Sequence, residues 1–177
     1  MSSYLKKIRK AMYEISKINN TIFLGQSVRY SGNSIYASLE DVPLKKRIEL
    51  PVMEEAQMGM SVGLALQNFI PISCFPRFDF LILALNQLVN HADKIDHLTN
   101  DKFKSKIIIR TLVGSKHPLD AGPQHTQDYT EALKKMLINT KVIKINKNSN
   151  ILKSYLSPFK DSKNKIFLFV EDGNNYV

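Results

Sequence analysis

Short apolar runs alternate with segments of helical periodicity along the whole of this sequence, and few architectures accommodate that order. The runs at 21–24, 47–50, 70–75, 106–110, 141–145 and 166–170 are each too short for a buried helix and long enough for a strand. Between them, Tyr4, Leu5, Ile8, Met12, Ile15 and Ile18 recur at spacings of three and four, so 3–18 is an amphipathic helix. Met58, Val62, Ala65 and Leu66 do the same within 54–68. Further helices are predicted over 78–98, 128–137 and 151–156, and a loop around Ser31-Gly32-Asn33-Ser34. Strands alternating with helices at this pace require crossover connections. The expected fold class is therefore α/β, doubly wound, with a mostly parallel sheet and helices on both faces.

A chain of 177 residues with 44% hydrophobic residues suits one domain with a real core, and 7 Gly and 7 Pro do not suit a fibrous or disordered class. No apolar run approaches the ~20 residues of a membrane-spanning helix. The lone Cys74 forms no internal disulfide, and the basic start leads into the first helix rather than a signal-peptide core, so a cytoplasmic location is expected. A net charge of +9 favours polyanions in general. The lysines are scattered and form no aromatic-interleaved stripe, so no specific nucleic-acid partner is expected.

Ligands of doubly wound sheets sit beyond the carboxyl ends of the strands, which directs attention to Glu54, to 75–80 and to the loop 111–127. Glu54 opens a helix, where it serves either as a proton donor or acceptor or simply as a complement to the helix dipole. Phe75, Phe78 and Phe80 are either core or a stacking platform. His125, in Gly122-Pro123-Gln124-His125-Thr126-Gln127, is either an acid/base group or an exposed bystander. Asp172-Gly173-Asn174-Asn175 reads as a turn. His91 and His97 are six apart, off the spacing that puts two ligands on one helix face, and no metal site is expected. The sequence has no phosphate-binding P-loop, no G-x-G-x-x-G and no nucleophile elbow.

Taken together, 51–63, 71–80 and 86–90, with Phe23-Leu24-Gly25 and Gln124-His125-Thr126-Gln127, resemble the pyrimidine-binding domain of thiamine-diphosphate enzymes. The likeness is to the beta subunit of 2-oxo-acid dehydrogenases and the central region of transketolase, and it covers most of 4–145. It implies a register in which Gly59, Gly63, Pro71 and Phe75 place the cofactor-activating glutamate on Glu54 rather than Glu55. By the same resemblance Phe80 packs on the pyrimidine ring, Val52 lines the pocket and His125 faces the substrate; Arg77 and Gln124 are further expected substrate contacts. The implied cofactor is thiamine diphosphate, with Mg2+ held by a partner chain.

The resemblance also implies what is lacking. Residues 1–177 match one pyrimidine-binding domain, without the C-terminal transketolase domain or the diphosphate-binding domain and its G-D-G signature. The expected function is thus one half of a split enzyme acting on a 2-oxo acid or a ketose, an oxidoreductase or transferase. Its expected partners are an alpha-type diphosphate-binding chain and further copies of itself. The alternative is a catalytically inactive structural or regulatory subunit, suggested by Gln26 and Asn86, which stand where the family usually has acids of a relay between paired sites. Arg77 and Asp79 stand where pyruvate-using members commonly have neutral residues, and Arg77 suits an anionic substrate.

Overall fold

In the computed structural model, residues 1–117 and 119–176 are described; Pro118, within the loop 111–127, and Val177 lie outside the described residues. The apolar runs become strands β1 (Thr21–Gly25), β2 (Arg47–Glu49), β3 (Ile70–Phe75), β4 (Ile107–Val113), β5 (Thr140–Ile145) and β6 (Ile166–Asp172). They form one sheet in the order β2-β1-β3-β4-β6-β5, with every pairing parallel. The interior pair β4 and β6 shows why such runs are unbroken: successive side chains enter opposite cores. Ile108 and Leu112 of β4 and Phe167 and Phe169 of β6 enter one core. Ile107 and Ile109 of β4 and Ile166, Leu168 and Val170 of β6 enter the other.

Helices α1 (Ser3–Ser16), α2 (Ser34–Leu39) and α7 (Ile151–Leu156) cover the first core. The second lies under α3 (Glu54–Leu66), the helical segment that starts as α4 (Phe78–Leu81) and ends as α5 (Ile95–Leu98), and α6 (Thr130–Met136). The expected doubly wound architecture is thereby present. Gly25 ends β1 with φ +145°, where a Cβ would lie 2.2 Å from the Cys74 carbonyl oxygen, so only glycine lets β1 and β3 approach at that point.

Two local expectations are corrected. The segment 78–98 is not one uniform α-helix: it tightens at Ile82–Ala84 and widens into a π turn at Gln87–Ala92. The wide turn leads into Asp93, a buried carboxylate that accepts hydrogen bonds from Ile138 N (3.0 Å), Asn139 N (3.0 Å) and Thr140 Oγ1 (2.6 Å), so the helix is tied to the start of β5. The loop expected around 31–34 turns directly into α2, with the Asn33 side chain accepting from Tyr36 N at 2.9 Å. At six residues α2 is too short to show a period in the sequence.

The first core encloses a charged cluster. Arg110 and Glu171, both fully buried, pair through Nε and Oε1 at 2.8 Å. The Tyr155 and Tyr176 hydroxyls donate to the two oxygens of Glu171, and Arg110 Nη2 donates to Ser38 Oγ at 3.1 Å. Burial works against the Arg110 charge, but the Glu171 carboxylate and the surrounding phenols hold its pKa well above the usual value. Burial, together with the same carboxylate, pushes both phenols well above theirs. The pair joins β4 to β6, and its partners come from α2, α7 and the turn after β6. Breaking such a pair leaves one charge buried and uncompensated, at a cost of about 3–5 kcal/mol. We therefore expect Glu171→Ala to lower stability by about that amount in urea unfolding, and Arg110→Met with Glu171→Leu to recover most of the loss.

Candidate functional site

The chain leaves β1 toward β2 on one side and returns through α3 to β3 on the other, so the sheet order reverses between β1 and β3. Crevices at such reversals are where open α/β sheets bind ligands. The carboxyl end of the sheet there presents Gln26 after β1, the start of α3 after β2, Arg77 after β3 and the loop 114–129 after β4.

Glu54 is the first residue of α3 and only 6% exposed, yet its carboxylate makes no hydrogen bond within the described residues. The carboxylate oxygens open onto a surface depression, where an incoming donor can reach them. The depression is an open cleft of about 500 Å³ lined by Met53, Glu54, Glu55, Ala56, Gly59, Leu83 and Gln87. Glu55 is different: it is exposed and accepts from Asn86 Nδ2 at 3.1 Å. Asn90 donates on to Asn86, and Lys94 to Asn90, forming a ladder on the outer surface. Gln57 anchors α3 from the inside, donating through Nε2 to Ser73 Oγ (3.0 Å) and to the Cys74 carbonyl (3.1 Å) at the end of β3.

A second group of residues gathers at the ends of β3 and β4. The rings of Phe80 and His125 meet edge to face, with centroids 5.5 Å apart. The His125 backbone lies directly over Gly114, where a Cβ would be 1.9 Å from its carbonyl oxygen, and Arg77 Cδ is 3.4 Å from the same point. His125 Nδ1, Arg77 Nε and Asp79 Oδ2 are buried without a hydrogen-bond partner. Arg77 Nη1 donates to the Pro76 carbonyl at 2.7 Å. The structure thus brings Phe80, His125 and Arg77 together and puts Glu54 in the adjoining cleft, one helical turn away through Leu83. Val52, 64% exposed, lies outside the lining of that cleft, and Gln124 is exposed. Gln26 is half-buried at the reversal and Asn86 belongs to the outer ladder.

Gly114, Gln57, Leu83 and Gln87 were not singled out by sequence reasoning. A glycine immediately after a strand was the one available signal, for Gly114. The turn expected at Asp172-Gly173-Asn174-Asn175 is present, with Asp172 Oδ1 accepting from Asn174 N at 3.0 Å. Among the described residues, no group of three or more His, Cys, Asp or Glu side chains is placed to hold a metal ion, and no helix is long and apolar enough to cross a membrane.

No protein-family model matches the chain. Curated relatives do. The chain is 30% identical over 125 residues to the pyruvate dehydrogenase E1 component subunit beta of Gracilaria tenuistipitata var. liui, covering 68% of this chain and 38% of that protein. It is 31% identical over 127 residues to the corresponding subunit of Rickettsia conorii, covering 70% and 38%. The 2-oxoisovalerate dehydrogenase subunit beta of Bacillus subtilis is 28% identical over 116 residues, covering 63% and 36%. The chain therefore spans less than two fifths of the length of these relatives. Among solved structures, a split-gene transketolase described as an inactive beta4 tetramer shares the fold, with a TM-score of 0.59 and 15% identity over 94% of this chain and 50% of that one.

The seating of His125 on Gly114 is directly testable. A methyl group there meets backbone, which no side-chain rotation relieves, and overpacking of this kind costs about 1–3 kcal/mol. Gly114→Ala is expected to lower thermal stability accordingly and to abolish the ring-current shift that Phe80 imposes on the His125 imidazole resonances, read by NMR.

Proposed function

Because this chain belongs to the pyrimidine-binding domains of thiamine-diphosphate enzymes, as its match to E1 beta subunits and its transketolase-type fold show, we propose that it supplies the pyrimidine-binding half of a split enzyme of that class. The substrate class is a 2-oxo acid or a ketose. The single observation that carries the reading is Glu54: a largely buried residue at the wall of a cleft, whose carboxylate has no hydrogen-bond partner among the described residues.

Thiamine diphosphate, when bound, supplies a carbon nucleophile for attack on a substrate carbonyl, and the protein supplies binding and proton handling. Glu54 hydrogen-bonds a ring nitrogen of the aminopyrimidine and holds the proton at that atom, a role that requires a carboxyl group. Phe80 offers an apolar wall to the pyrimidine; the role of Val52, exposed just before α3, rests on the family resemblance alone. His125 stands on the substrate side, held by Gly114 and Phe80, and moves a proton to or from the substrate oxygen. Gln124, exposed beside it, is a second substrate contact. The diphosphate and its Mg2+ are assigned to an alpha-type partner chain. The alternative, an inactive structural or regulatory subunit, is favoured by the amides of Gln26 and Asn86, which cannot carry charge as the family's acids do.

Calorimetric titration of thiamine diphosphate with Mg2+ separates the two readings. Tight binding only after addition of a diphosphate-domain partner supports the split enzyme, and no binding in either case supports the inactive subunit. In the active complex, Glu54→Gln is expected to reduce turnover by at least about 10²–10⁴-fold while leaving the unfolding transition intact. Unchanged turnover would sink the assignment of Glu54.

The outer face of α3 and the segment beside it expose Met53, Met60, Leu66, Ile82 and Leu83, an apolar surface suited to a second copy of the chain. Light scattering of the pure chain is expected to give the mass of a dimer or larger species, reduced to that of a monomer by Met60→Glu with Leu66→Glu. A monomeric mass for the unsubstituted chain at high concentration would remove self-association from the proposal.

A further inference from the structure

Arg77 differs from Arg9 and Arg110 in entering no ion pair, as does the buried Arg47, whose guanidinium instead lies over the Tyr36 ring and donates to the Val28 carbonyl. Arg9 is neutralised by Glu40 and Asp41, and Arg110 by Glu171. Arg77 enters no ion pair among the described residues; its one hydrogen bond goes to the adjacent Pro76 carbonyl, and its Nε is buried without an acceptor. It is half-buried and packed against Gly114, so the guanidinium is held in place rather than swept freely through solvent. His125, seated over the same glycine, has a buried ring nitrogen that is also unpartnered. Holding a guanidinium partly out of water without an acceptor is costly, and planar oxyanions are the groups its fork of donors fits. Asp79 is the one carboxylate nearby in sequence; its free Oδ2 suits a hydroxyl or water donor, and it does not pair with Arg77.

We propose that Arg77, with His125 beside it, is the specificity-determining group of the site and takes an anionic oxygen group of the substrate, a carboxylate or a phosphate, remote from the carbonyl that reacts. The proposal deepens the reading of the chain as a thiamine-diphosphate enzyme subunit and rests on it for the identity of the reacting group. It narrows the substrate to a 2-oxo acid with a second carboxylate or to a phosphorylated ketose.

The test uses the full chain without cofactor, so its result does not depend on Glu54 or on thiamine diphosphate; failure of that reading is seen separately, in the calorimetry. Two probe pairs differ only in the remote anion: 2-oxoglutarate against 2-oxobutanoate, and ribulose 5-phosphate against ribulose. Binding is followed through the His125 imidazole and Gly114 amide resonances. In one pair, the member with the remote anion is expected to bind at least about ten-fold more tightly, as the loss of a charge-assisted bidentate contact implies. Arg77→Gln is expected to erase that difference and Arg77→Lys to retain part of it. The pair that responds identifies carboxylate or phosphate as the source. Equal affinities in the unsubstituted chain and Arg77→Gln, binding that shifts resonances elsewhere, or no binding by any of the four probes would each overturn the proposal.

Discussion

Arg110 and Glu171 hold together more of this molecule than any other pair. A guanidinium and a carboxylate with no solvent exposure are tolerated only if their remaining hydrogen-bonding capacity is met from the surroundings. Here most of it is met by Ser38 of α2, Tyr155 of α7 and Tyr176 after β6, with Arg110 Nη1 alone left without a partner among the described residues. Tyr155 in turn stacks on Phe169 of β6, and Tyr176 meets Tyr4 of α1 edge-on at 5.3 Å. All three helices of the first core are thereby referred to one point on β4 and β6. Because side-chain direction alternates along a strand, a slip of one residue in either strand would turn one charge into the opposite core, so the cluster also specifies the register of the pair.

Fixing the interior of the sheet leaves its carboxyl end free to carry the site. Gln57 ties α3 to the end of β3 where Gly25 lets β1 and β3 converge, and Glu54 is positioned from that anchor. Gly114 does the corresponding work for β4, bringing His125 down onto the backbone and beside Phe80. The two halves of the site thus descend from two places where only a hydrogen atom fits between segments of main chain. Three of the six buried side-chain atoms without a partner among the described residues, on Arg77, Asp79 and His125, gather at this end of the sheet.

Much of this was legible in the sequence because its causes are local. Apolar runs of four to six residues mark the strands, and the three- and four-residue spacing in 3–18 marks α1. The choice of Glu54 over Glu55 came from the family register, and the structure separates the two by burial. What was not legible depends on partners distant in the chain. The break in the segment 78–98 is tied to Asp93 meeting residues some 45 positions later, and Arg110 meets Glu171 across 61 positions. No periodicity encodes either contact. The short α2 escaped for the opposite reason, since six residues offer one and a half turns in which to show a pattern.

Glu171 and Tyr176 follow Arg110 by 61 and 66 residues, and that order bears on how the domain is made. A chain leaving the ribosome presents β4, with its guanidinium, long before the carboxylate and phenol that neutralise and cap it have been synthesised. The first core therefore cannot settle strand by strand. Arg110 has to remain hydrated, and α1, α2 and α7 unlocked, until β6 slides between β4 and β5 and completes the cluster. A middle strand that follows both of its neighbours in the chain makes closure of the first core a single event that waits for β6.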